Sequence, residues 1–158
     1  MKIKSIKISA FFIASLIIID QLTKYIVIHF FQLENSALEV LPFFRIIHTT
    51  NTGIAFSLFQ GSNVFFAIFA ALVILIFIVW YIKNFNSLLN KFHFSIILLL
   101  SGAIGNLIDR LFRGHVVDFL DFNIGAYHWP AFNFADSCIT VGGILLFIFV
   151  FTYKKEAK

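Results

Sequence analysis

The hydrophobic positions of the chain fall into four long runs separated by polar stretches. These runs cover about residues 8–30, 63–82, 92–112 and 134–153. A helix needs about 20 mostly apolar residues to cross the hydrocarbon core of a membrane, so each run is long enough to span it once. We therefore predict four transmembrane helices in a single integral membrane domain, residues 1–158.

The connection between the first two runs has a different pattern. Its stretch from Leu38 to Ile47 is rich in β-branched and aromatic residues and contains Pro42. Such enrichment is typical of short strands, and a proline restricts them to an edge. The predicted fold class is therefore an all-α membrane protein with four transmembrane helices and a small extracytoplasmic β-rich segment.

Positive charges predict the orientation of the helices, because Lys and Arg next to the spans are retained on the cytoplasmic side. The two long connections, which would lie on the opposite, outer side, contain only Arg45 and Arg113 as cations. We predict that both termini are inside and both long connections outside. The lysines assigned to the cytoplasmic side are Lys2, Lys4, Lys7, Lys83, Lys91, Lys154, Lys155 and Lys158.

Composition supports the membrane prediction and excludes several other classes of protein. Hydrophobic residues make up 60% of the chain and charged residues 13%, with a mean hydropathy of +0.94, whereas soluble domains carry about 25% charged residues. The net charge of +4 comes largely from lysines beside apolar runs, a pattern that favours membrane lipids over nucleic acid as a partner. The first run exceeds the length of a signal-peptide core, so we expect a retained helix.

Polar and ionisable residues inside the predicted spans need an explanation, since each charged side chain costs about 2.5–3.5 kcal/mol at the bilayer centre. Asp20 and Lys24 are spaced i,i+4, as are Asn106 and Arg110, and both pairs fit either a structural network or a functional site. The predicted topology gathers them at one depth, just below the outer surface. That convergence favours a functional site.

Two carboxylates near this depth have unequal surroundings. Asn133 resembles a helix N-cap that places Asp136 in the first turn, where backbone N–H groups favour its ionised form. Asp118 has apolar neighbours that would raise its pKa by desolvation. One ionised and one protonated carboxylate are what acid–base chemistry at neutral pH requires, although the residues alone leave this pairing as one possibility.

Five segments resemble the signature blocks of the bacterial lipoprotein signal peptidase family, also called signal peptidase II. They are DQLTK (residues 20–24), NTGIAF (51–56), GAIGNLIDR (102–110), VVDF (116–119) and FNFADS (132–137). The blocks stand in the family order and, with the four spans, cover nearly the whole chain. Each is weak alone, but five in order are a strong signal.

The resemblance implies an aspartic endopeptidase of the bacterial inner membrane with its active site near the outer face. Such an enzyme cuts signal peptides from prolipoproteins just before a diacylglyceryl-modified cysteine, needs no cofactor or metal, and is inhibited by cyclic peptide antibiotics. Asp118 and Asp136 would be the catalytic pair, and the loop at residues 56–60 would help to hold the substrate. Supporting or substrate-binding roles would fall to Asn106, Arg110, Asn133, Asp20, Lys24, Asn51 and Gly102.

Three other functions compete with this reading. A metalloenzyme would have to use His115, Asp118, Asp121 and His128, but the chain lacks a His-Glu-x-x-His motif. A serine or cysteine protease would need a base beside Ser101 or Cys138, and no histidine is predicted there. A proton-coupled transporter or an assembly subunit could use the intramembrane Asp and Arg residues as a relay.

Overall fold

The computed structural model describes residues 5–33, 37–53, 61–125 and 127–156. Within them, four helices are long and apolar enough to cross a membrane, as predicted. Helix α1 is Ile6–Phe30, α2 is Asn63–Asn84, α3 is Asn90–Phe112 and α4 is Phe134–Glu156. A single 3-10 turn, Phe85–Ser87, links α2 to α3. The loop at residues 56–60, to which a substrate-holding role was assigned, lies outside the described residues.

Helix α3 is the centre of the bundle, since it packs against each of the other three helices. Large apolar side chains on α1, α2 and α4 remain exposed, among them Phe11, Phe69 and Phe147, as expected of surfaces that face lipid. At one end of the bundle the Tyr81 hydroxyl lies 2.8 Å from Ser9 Oγ and 2.7 Å from His93 Nδ1. These buried contacts tie α1, α2 and α3 together.

An antiparallel sheet covers the opposite end of the bundle. Its strands, in spatial order, are β1 (Ala37–Leu41), β2 (Phe44–Asn51), β3 (Val116–Ile124) and β4 (Tyr127–His128). The predicted β-rich segment is therefore observed as β1 and β2. The sequence did not predict β3 and β4, which come from the connection between α3 and α4.

Strand β3 is held between the helices and the rest of the sheet. Val117 and Phe119 are buried and form one apolar cluster with Val27 of α1. Gly114 forms the turn between α3 and β3 with φ of +78°, a conformation that other residues adopt only with strain. In the pairing with β2, Asp118 lies opposite Thr49. The fold thus brings Asp118 to the sheet end of the bundle, where α4 begins.

Candidate active site

The two candidate carboxylates line one cleft between the sheet and the helix ends. The cleft has a volume of about 1120 Å³, and Asp118 of β3 and Asp136 of α4 both border it. Asn51, Asn106 and Arg110 also line it. Five of the nine predicted site residues therefore meet at this cleft, and the other four, Asp20, Lys24, Gly102 and Asn133, are not among its lining.

Asp136 is fixed by the way in which α4 begins. Asn133 Oδ1 accepts a hydrogen bond from the backbone N–H of Asp136 at 2.8 Å, and Asp136 Oδ2 accepts one from the backbone N–H of Asn133 at 3.2 Å. This reciprocal arrangement is a capping box. It matches the helix start predicted from the spacing of these two residues.

Asn133 also reaches the second carboxylate. Its side chain is fully buried, and Nδ2 donates to Asp118 Oδ1 at 2.8 Å. Asn51 Nδ2 donates to the other oxygen of Asp118 at 3.3 Å. A single asparagine is therefore hydrogen bonded to both candidate carboxylates, which fixes their relative position.

Asn106 is oriented by a buried ammonium group. Its Oδ1 accepts hydrogen bonds from Lys24 Nζ at 3.0 Å and from Asn133 Nδ2 at 3.2 Å. Because a lysine ammonium can only donate, Oδ1 must face Lys24, and this leaves Nδ2 to face Asp136. Nδ2 donates to Asp136 Oδ1 at 2.7 Å. Lys24 thus acts on Asp136 through Asn106.

Lys24 belongs to an ion cluster behind the cleft. Its Nζ lies 2.9 Å from Asp20 and 2.8 Å from Asp109, and the side chains of all three are at most 2% exposed. Arg113 pairs with Asp109, and Asp20 Oδ1 accepts a hydrogen bond from the backbone N–H of Ala135 at 3.0 Å. The predicted Asp20–Lys24 pair is present. Since none of these residues lines the cleft, the contacts favour the structural interpretation.

Glycines allow α3 to approach its neighbours closely. A Cβ on Gly105 would lie 2.6 Å from Asp20 Oδ2, and one on Gly102 would overlap the carbonyl oxygen of Ala135 and lie 2.8 Å from Cγ1 of Ile139 in α4. Real Cβ atoms essentially never come as close as either of these distances. Gly102 therefore lies in the contact between α3 and α4, where it has a packing role.

Arg110 connects three parts of the chain at the rim of the cleft. Its guanidinium donates to the carbonyl oxygen of Gly53 at 2.6 Å and to Asn63 Oδ1 at 3.2 Å. It therefore links α3 to the chain that follows β2 and to the first residue of α2. The i,i+4 spacing of Asn106 and Arg110 fits one network, and the described hydrogen bonds connect the two side chains indirectly. The connection runs through Asn133, Asp118, Asn51 and the backbone of Gly53.

Two carboxylates of β3 have opposite electrostatic environments. Burial raises the pKa of Asp118 to about 7, the nearby Asp136 carboxylate adds to the rise, and hydrogen bonds from Asn51 and Asn133 only partly oppose it. Burial also raises the pKa of Asp121, but hydrogen bonds from His128 and Arg45 outweigh this effect and hold it below the ordinary value. At neutral pH, Asp118 can carry a proton while Asp121 is ionised.

Sequence reasoning missed two polar contributors to this region. Gln21 donates to Asp20, Asp109 and the Gly105 carbonyl, and it accepts a hydrogen bond from Arg113 at 2.9 Å. Gln21 is uncharged and gave little signal, although it stands directly beside Asp20. Arg113 was read only as a loop cation, whereas it neutralises Asp109.

The residues that a metalloenzyme or a serine protease would use do not come together into such a site within the part of the chain that the structure describes. His128 is paired with Asp121, and among the described residues no three His, Cys, Asp or Glu side chains are placed to hold a metal ion. Ser101 donates to the carbonyl oxygen of Leu98, and His93 contacts Tyr81 at the far end of the bundle. The observed contacts therefore give Ser101 no histidine base.

Comparison with known proteins points to one family. The family model described as Signal peptidase (SPase) II matches residues 12–152. A lipoprotein signal peptidase of Thermodesulfovibrio yellowstonii is 41% identical over 158 residues, covering 100% of this chain and 99% of the relative. One from Borreliella afzelii is 42% identical over 156 residues, covering 92% and 91%.

Solved structures agree with this comparison. One bacterial membrane enzyme superimposes with a TM-score of 0.86 at 35% identity and covers 97% of this chain and 93% of its own. A second solved structure, also of a bacterial membrane enzyme, gives a TM-score of 0.79 at 36% identity, with 92% and 93% covered. The similarity therefore extends over the helices and the sheet together.

Proposed function

Because this chain belongs to the signal peptidase II family of membrane proteases, we propose that Asp118 and Asp136 are its catalytic pair and that it cuts prolipoproteins just before the diacylglyceryl-modified cysteine. The observation that carries this proposal is the contact of Asn133 with both carboxylates at the wall of one cleft. Two carboxylates held in this way can act on the same water molecule and the same peptide bond.

Hydrolysis then needs one proton acceptor and one proton donor. Asp136, as the carboxylate, takes a proton from water while the water oxygen attacks the scissile carbonyl carbon. Asp118, as the carboxylic acid, gives its proton to the carbonyl oxygen, and a gem-diol forms. In the second half, Asp136 returns its proton to the amide nitrogen, the C–N bond breaks, and Asp118 recovers a proton from the diol.

The unequal surroundings support this division of roles. Burial raises the pKa of Asp118 to about 7, so a large fraction of it carries a proton at neutral pH. Asp136 lies in the first turn of α4 and accepts hydrogen bonds on both oxygens, from Asn106 and from the Asn133 backbone. Donors of this kind at a helix N-terminus stabilise a carboxylate.

The position of the cleft suits a substrate that cannot leave the membrane. It lies where the apolar helices end and the sheet begins, so a lipid-modified cysteine can present its peptide bond while its acyl chains stay in the bilayer. We place the enzyme in the bacterial inner membrane with both termini inside and the sheet outside. A cyclic peptide antibiotic that reached both carboxylates would block the same cleft.

A cleavage assay tests this function. Purified protein in detergent is incubated with a diacylglyceryl-modified prolipoprotein, with and without a chelator. We expect a loss of mass equal to that of the signal peptide, insensitive to the chelator. An intact substrate would contradict the proposal, and proton-driven transport by the same protein in vesicles would favour the transporter alternative.

The orientation has a test of its own. A cysteine placed at Asn123 should be labelled from the outside only.

A further inference from the structure

The cleft continues past the two carboxylates along β2. Asn51 lies beside Asp118, and Thr49, Ile47 and Arg45 line the same cleft in turn. In the pairing of β2 with β3, Thr49 lies opposite Asp118 and Arg45 lies opposite Asp121, with an irregularity between Ile46 and Thr49. Asp121 follows Asp118 by three positions on β3 and each residue adds about 3.3 Å, so Arg45 lies about 10 Å along the sheet from Asp118. The opposite wall is formed by residues 129–132. The cleft is therefore a trough that leads from the carboxylate pair to a second polar group of residues.

That second group, here called the distal cluster, consists of Arg45, Asp121 and His128. Arg45 Nε and Nη2 donate to Asp121 Oδ2 at 2.9 and 2.5 Å, and His128 Nδ1 lies 3.0 Å from Asp121 Oδ1. The side chain of Asp121 is only 4% exposed, whereas those of Arg45 and His128 are 31% and 41% exposed. A buried carboxylate thus holds two partly exposed donors at the end of the trough.

The distal cluster keeps hydrogen-bonding capacity for a ligand. A guanidinium has five N–H groups, and among the described contacts Arg45 uses only Nε and Nη2. The described contacts of His128 likewise involve only Nδ1. Because Asp121 neutralises the charge of Arg45, these remaining donors suit a peptide carbonyl better than a free anion.

We propose that the distal cluster binds the backbone of the mature lipoprotein segment about three residues after the scissile bond. This inference rests on the proposed function. The signal peptide before the cleavage site lies in the membrane, so the chain that enters a trough on the sheet is the one that follows the modified cysteine. An extended peptide advances by the same rise as β3, so about three residues reach from Asp118 to the strand position of Arg45.

The test compares two diacylglyceryl-modified substrates that differ only in length after the cysteine. The short one ends at the cysteine itself as an amide and the long one about six residues later, so only the long one reaches Arg45 by the rise per residue of an extended chain. We expect the wild-type enzyme to cleave the long substrate with a kcat/KM about tenfold higher, through KM, as hydrogen bonds to a charged donor provide. Arg45→Ala should lose this advantage and cleave the short substrate at the wild-type rate.

Two further variants keep the test decisive. His128→Ala removes the second donor and should lose part of the length advantage, which covers the case in which Arg45→Ala does not fold. Glu39→Ala alters an exposed residue of β1 that pairs with Arg45 in register but does not line the cleft, and it should keep the full advantage.

Equal cleavage of both substrates by the wild-type enzyme would overturn the distal site. An Arg45→Ala variant that slowed both substrates alike would overturn it too, since that result indicates a structural role only. If the wild-type enzyme cut neither substrate, the proposed function itself would fail, and the distal site with it.

Discussion

Replacing Lys24 by methionine tests whether the buried ion cluster is structural. The cluster contains Lys24 and Arg113 as cations and Asp20 and Asp109 as anions, so its net charge is zero. Methionine keeps most of the volume of lysine but removes its charge. The cluster then carries one unbalanced negative charge. The side chains of both aspartates, Asp20 and Asp109, are at most 2% exposed, so this charge is buried.

The expected loss of stability follows from these contacts. Removing one partner of a buried ion pair costs about 3–5 kcal/mol. Asp109 keeps Arg113, and Asp20 keeps Gln21 and the Ala135 N–H, so we expect a value at the lower end, about 3 kcal/mol. The free energy of unfolding is measured by denaturant titration in mild detergent. Activity should fall as well, because Asn106 loses a donor that orients it.

Adding Asp20→Asn to Lys24→Met tests whether the loss of stability comes from the unbalanced charge of the cluster. In Lys24→Met/Asp20→Asn the remaining Asp109–Arg113 pair is again neutral, so the double variant should recover about half of the lost stability. Unchanged stability of Lys24→Met together with a complete loss of cleavage would refute this reasoning. Lys24 would then have a direct part in the reaction.

Three further predictions concern the pH profile, the helix contacts and Arg110. The kcat/KM of the wild-type enzyme should fall as pH rises through about 7, where Asp118 loses its proton; the titration belongs to the carboxylate pair, and a rate that stays level there would contradict the assigned acid. Gly105→Ala should cost about 1–3 kcal/mol of stability by overpacking against Asp20, whereas Gly143→Ala, with open space around it, should be neutral or slightly stabilising. Arg110→Lys keeps the charge but loses the fork that joins Gly53 and Asn63, so cleavage should drop about tenfold; unchanged cleavage would show that the fork is not needed.

The helices and the cap of α4 could be predicted because their signals are local. Apolar runs of sufficient length gave the four spans, and the three-residue separation of Asn133 and Asp136 gave the cap. The Asp20–Lys24 pair followed from its i,i+4 spacing. The addition of Asp109 to that pair could not be predicted, since it depends on how α1 and α3 pack.

Strand β3 shows why the sheet was only partly predicted. The residues from Val116 to Phe119 are all buried, so the strand lacks the alternation of polar and apolar positions that marks a half-exposed strand. Its β-branched start and the following Gly125 were the available signal. The distal cluster was missed for a related reason, because Arg45 and Asp121 meet only through the pairing of β2 with β3.

The most direct test of the central claim is the cleavage rate of Asp118→Asn and Asp136→Asn beside that of Asp121→Asn. Asparagine preserves the size of the side chain and abolishes proton transfer. We expect each of the first two variants to accumulate in the membrane but lose at least about a thousandfold in cleavage, with the double variant little worse than either. Asp121→Asn should retain most of the activity. A nearly active Asp118→Asn beside an inactive Asp121→Asn would contradict the assignment of the catalytic pair.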